Sequence, residues 1–111
     1  MAKKVSSRKG YSVGYIVLTF HVFSENGNFV SACPELDVAS CGDTVDEALK
    51  NIKDATLLYL NTLEEQGERE RIFKERKIRL HRVAPKSAKV KREVKSNEVI
   101  SPYITSIPVA A

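Results

Sequence analysis

The chain has no tryptophan, one methionine and only two cysteines in 111 residues. Two thiols cannot build the disulfide framework that staples small secreted domains, so reduced thiols and a cytoplasmic location are expected. Cys33 and Cys41 are also too far apart for the tight Cys-x-x-Cys of a zinc site, and His21 and His81 alone could complete a ligand set. No metal or cofactor is therefore expected. Long apolar runs are missing too. "VGYIVLTFHVF" is interrupted by His21 and is too short to span a membrane. The basic "MAKKVSSRKG" before it and "VSAC" at 30–33 imitate an export signal, but the polar "SENGN" separates that box from the apolar run. The chain lacks a Gly-rich phosphate loop, a nucleophile elbow and a His-Glu-x-x-His motif. Residues 14–23 and 29–33 hold no carboxylate, which a two-metal nuclease would need on its central strands. These absences exclude the common hydrolytic chemistries, and the chain is read as non-catalytic.

What is present is a well-punctuated α+β pattern. Residues 14–23 are almost all β-branched or aromatic, which is strand composition. Ile16, Leu18, Phe20 and Val22 share one face; both faces are apolar enough for a strand inside the sheet. Asn26-Gly27 tolerates positive φ at both positions of a type I′ turn, so residues 29–33 should return antiparallel. Pro34 ends that strand, and residues 37–41 suffice for a third. Gly42 lets the chain turn. Thr44 and Glu47 then have capping-box spacing, with Glu47 expected to reach back to Thr44. The helix should run to about Gln66, with Gly67 as its left-handed stop. Val45, Ala48, Leu49, Ile52, Ala55, Tyr59 and Leu63 form its apolar stripe, with Leu57 and Leu60 off it. A short helix over 68–76 and an extended 77–83 follow, with Ile78 and Leu80 on one side.

The organisation expected is a basic arm at 1–12, one α+β domain at 13–83, a basic linker at 84–98 and an apolar carboxy-terminal strand at 99–111. The fold is thus a three-stranded antiparallel sheet followed by a long amphipathic helix (β-β-β-α), with an additional terminal strand. That strand is expected on the edge of its own sheet or on a neighbouring subunit's, with Pro102 and Pro108 favouring an edge. Leu57, Leu60, Tyr103, Ile104 and Ile107 are the candidate contacts of a homo-oligomer, a dimer or higher.

Charge divides the chain. Residues 25–65 carry nine acidic and two basic residues, whereas 66–95 carry twelve basic and four acidic. The acidic part suits a basic protein partner, with Glu25, Glu35, Asp37 and Asp54 as candidate contacts. The basic part suits nucleic acid, through Arg79, Arg82, Lys86, Lys89, Lys91 and Arg92. Aromatics to stack bases are nearly absent there, which weakens that partner.

Taken in order, the Asn-Gly turn, the aromatic-led strand, "CPEL", the short strand, "GDTVDEALKNIKDA" and "YL" resemble the HicB-like antitoxin family over residues 15–66. The resemblance implies a partly reduced RNase H-like fold without the catalytic acids of true ribonucleases. It also implies a partner, a small HicA-type RNA-cleaving toxin whose active site the antitoxin covers. Many members add a carboxy-terminal helix-turn-helix or ribbon-helix-helix that binds their operator. Residues 84–111 hold three prolines and no helical periodicity, so no such module is expected here. Solitary members of the family exist, and the alternative reading is such a protein acting as a nucleic-acid-binding or regulatory module through its basic second half.

Overall fold

The computed structural model describes residues 11–85 and 98–110. Among these residues four strands form one antiparallel sheet: β1 (Tyr11–Glu25), β2 (Asn28–Cys33), β3 (Val38–Gly42) and β4 (Glu98–Ala110), in the order β3-β2-β1-β4. Helix α1 (Val45–Glu65) and the short α2 (Arg69–Glu75) lie between β3 and β4 in the chain. The architecture is the expected α+β arrangement, with β1 inside the sheet and the terminal strand on its own sheet's edge. Two boundaries move outward. Strand β1 begins at Tyr11, inside the expected arm, and β4 begins at Glu98, at the end of the expected linker.

Local chemistry sets each corner. Asn26 and Gly27 have φ of 52° and 84°, the two positive values a type I′ turn requires. They place Glu25 opposite Asn28. Gly42 is needed for a different reason from the one expected. Its φ is not in the left-handed region, but a Cβ there would lie 2.6 Å from the backbone nitrogen of Ala48. The glycine lets α1 settle directly on the end of β3. Thr44 caps the helix, its Oγ1 accepting from the Glu47 amide at 3.0 Å. The reciprocal arm differs from the usual capping box: Glu47 Oε1 accepts from the Asp43 amide at 2.9 Å rather than from Thr44.

The far end of α1 closes in a Schellman motif, with Glu68 N–H bonded to the Leu63 carbonyl and Gly67 N–H to that of Glu64. The motif repeats after α2, with Lys77 (φ 57°) in the glycine position, Ile78 N–H bonded to the Phe73 carbonyl and Lys77 N–H to that of Lys74.

The core lies between the sheet and α1. Ile16, Leu18, Phe20 and Val22 of β1 are all buried, and Ala48, Ile52, Leu60 and Leu63 meet them from the helix side. Fully burying one such aliphatic side chain stabilises by about 1.5–3 kcal/mol, so this stripe dominates the fold's stability. Leu60, off the expected stripe, belongs to the core, because the helix turns a wide arc toward the sheet. Val45, Leu49, Ala55 and Tyr59 are only half-buried, while Thr56 is fully buried. Thr56 Oγ1 and Ser31 Oγ are enclosed without a hydrogen-bond partner among the described residues.

Candidate partner-binding surfaces

The register puts the start of α1 beside the first hairpin, because Gly42 faces Phe29 and Glu25 faces Asn28. Exposed carboxylates therefore gather at one end of the sheet: Glu25 from β1, and Asp43 and Asp46 from the helix start. None of these three takes part in an ion pair among the described residues.

The four carboxylates chosen from sequence do not form one patch. Glu25 is at this end, but Asp37 lies in the 34–37 loop at the other end of β2, about 20 Å away by the rise of a six-residue strand. Asp54 is exposed on α1 and lies 3.7 Å from Lys50, an open pair that contributes little. Glu35 is turned inward. Its two oxygens accept from the Thr19 amide at 3.0 Å and the Thr19 hydroxyl at 2.8 Å. It thereby fills the place on β1 that β2 vacates at Pro34, and is a structural carboxylate rather than a free contact. Sequence alone does not mark Asp43 and Asp46 as contacts, because a helix start already gives acids a structural reason.

The opposite end of the molecule is basic. His81 and Tyr15 exchange backbone hydrogen bonds of 2.8 and 2.7 Å, which holds the 77–83 segment against the start of β1. Arg79 and Arg82 are exposed there, joined by Lys74, Arg76 and Lys77, and none makes an ion pair among the described residues. By contrast, Arg69 pairs with Glu64, and Arg71 bridges Glu68 and Glu75. Those carboxylates push the Arg71 guanidinium pKa up. Lys86, Lys89, Lys91 and Arg92 lie outside the described residues.

The oligomer candidates divide. Leu60 and Ile107 are buried in the protomer's own core, at 6% and 7% exposure, and offer little free surface. Tyr103 stacks on Phe20 with ring centroids 4.7 Å apart, and Lys53 Nζ sits 5.9 Å from its ring centroid. Ile104 is half-buried, and Leu57 lines a groove between α1 and β4.

The thiols are separated by the sheet. Cys33 shares the core face with Phe20, whereas Cys41 pairs with Val30 on the opposite face and is exposed. Burial, reinforced by the nearby Glu35 carboxylate, pushes the Cys33 thiol up to about 12. Among the described residues no three His, Cys, Asp or Glu side chains are grouped to hold a metal ion. One close pair went unread in the sequence. His21 Nε2 lies 2.9 Å from Glu98 Oε1, both nearly buried, across a separation of 77 residues that no local pattern signals. Among the described residues no helix is long and apolar enough to cross a membrane. Comparison with protein-family models, curated proteins and solved structures found no match.

Proposed function

We propose that this chain is a non-catalytic, cytoplasmic, HicB-like antitoxin that binds and masks a small basic HicA-type RNA-cleaving toxin. The observation that carries the reading is the acidic end of the sheet, where Glu25, Asp43 and Asp46 are exposed, make no ion pair among the described residues and are fixed by a hairpin and a capped helix. Preformed carboxylates complement a protein whose own surface is built to grip RNA, and they speed encounter. The β-β-β-α order and the residues of 15–66 agree with the same reading. The test is to mix the chain with a small basic HicA-type RNA-cleaving protein and follow RNA cleavage. Cleavage should stop near equimolar amounts, and the Asp43→Lys, Asp46→Lys double variant should restore it without loss of fold. Undiminished cleavage in the presence of excess chain refutes the proposal.

A second reading is favoured by Lys74, Arg76, Lys77, Arg79 and Arg82, which form an exposed cationic end. A solitary regulatory module would use them on nucleic-acid phosphates, with affinity that falls steeply with salt and shows little sequence preference.

A further inference from the structure

Among the described residues strand β4 is an edge of the sheet, and its register with β1 is unbroken from Tyr11↔Ala110 to Phe23↔Glu98. The backbone groups of Tyr15 and Thr19 point to the β2 side, where His81 and Glu35 take them. Alternation then directs Gly14, Ile16 and Leu18 toward β4, and the even-numbered residues of β4 direct their own N–H and C=O groups away from the sheet.

Two of those outward positions are prolines. Pro102 and Pro108 face Thr19 and Val13, so their missing N–H weakens nothing in the β1–β4 ladder. Their carbonyls already have donors: Arg69 Nη1 for Pro108, and the Ser101 hydroxyl at 3.4 Å for Pro102. Between the prolines, Ile104 and Ser106 each keep an outward N–H and C=O that nothing among the described residues takes. Prolines and open residues alike are placed symmetrically about Thr105.

We propose that β4 pairs antiparallel with β4 of a second copy, with the two-fold axis at Thr105, giving one continuous sheet of eight strands. In this register Ile104 meets the partner's Ser106 and Ser106 meets the partner's Ile104, which satisfies both open residues on each side. Ile100 meets the partner's Ala110 at the outer ends. Pro102 meets the partner's Pro108, and because both carbonyls are already donated to within their own chain, the missing N–H groups leave no orphan. A strand without prolines at this spacing would instead aim its donors at occupied carbonyls.

One further feature fits a second copy. The groove beside the edge, about 110 Å³ and lined by Leu57, Asn61, Glu64, Arg69 and Ile107 among others, is closed on its open side by the incoming strand.

The proposal does not rest on the antitoxin reading and is tested on the full chain alone. Light scattering at high micromolar concentration should give the mass of a dimer. Across the axis Thr105 faces its own copy in a non-hydrogen-bonded pair, with Cα atoms about 4.5 Å apart, within the range a disulfide spans. In a Cys41→Ser background, Thr105→Cys should therefore oxidise to a covalent dimer at least about tenfold faster than Ser106→Cys. Ile104→Pro removes only an outward donor, so it should halve the mass while circular dichroism stays that of the wild type. A monomeric wild-type chain overturns the proposal. So does a folded Ile104→Pro variant that keeps the dimer mass, or equal cross-linking of the two cysteine variants. Should Ile104→Pro fail to fold, the cross-linking comparison decides.

Discussion

Two corners of this chain look alike on paper: "CPELD" at 33–37 and "CGDTVDE" at 41–47. Each begins with a cysteine, interrupts a strand and carries carboxylates. In the first corner the chemistry points inward. Cys33 is fully buried, and Glu35 spends both oxygens on Thr19. In the second it points outward. Cys41 is exposed, and Asp43 and Asp46 face solvent, while Glu47 alone is tied to a backbone amide. The difference comes from what each corner must satisfy. The first lies beside β1 where β2 ends, so a donor of β1 needs a side chain in place of a strand. The second opens a helix whose own first turn supplies the donors.

Four measurements press on that contrast. The largest effect is thiol reactivity. A thiol with its pKa near 12 is ionised to about one part in ten thousand at pH 8, so Cys33 should react at least about a thousandfold more slowly than an exposed thiolate-forming cysteine. Alkylation followed by mass spectrometry should show one fast adduct, on Cys41, with the second appearing only in denaturant. Rapid labelling of both would mean that the first corner opens readily.

Gly42→Ala comes next. Its added methyl would press on the helix backbone at Ala48 rather than on a side chain that can swing away, and should cost about 3 kcal/mol in urea unfolding. A neutral result would show that α1 can lift off β3. Glu35→Ala should cost about 2 kcal/mol, because the half-buried Thr19 amide loses a charged acceptor and nothing replaces it. If Glu35→Ala instead abolished partner binding with stability intact, the inward assignment of that carboxylate would be wrong. Thr44→Ala should cost about 1 kcal/mol, the usual loss of a cap, since Asp43 and Glu47 still tie the first turn.

The sequence was legible wherever the determinant was local. The Asn26-Gly27 turn, Thr44, Gly67 and the alternation of Ile16, Leu18, Phe20 and Val22 each act within a few residues, and each appears where expected. It was misleading where the determinant was a distant neighbour. Gly42 reads as a turn residue until the Ala48 backbone is seen above it. Leu60 reads as surplus until the crossing of α1 over the sheet is known. Glu35 reads as a surface acid until its strand end is found beside Thr19, 16 residues back. Lys77 gave no signal as a left-handed cap, because only glycine or asparagine announces that position. For the candidate surfaces, composition located the acidic and basic segments, but it could not say that the hairpin and the helix start share one end of the molecule.

The β1–β4 pairing also sets an order of events as the chain folds. Its partners lie 75 to 99 residues apart, whereas β1, β2, β3 and the start of α1 are joined by connections of a few residues. Closing so long a loop is slow compared with forming hairpins, so the first three strands and α1 assemble before β4 arrives. During synthesis the flank of β1 that will receive β4 therefore waits unpaired until residues 98–110 leave the ribosome. In that interval the nascent chain displays an open apolar strand, and at high translation load it is there, rather than in the finished fold, that a chaperone or a second nascent chain would first engage it.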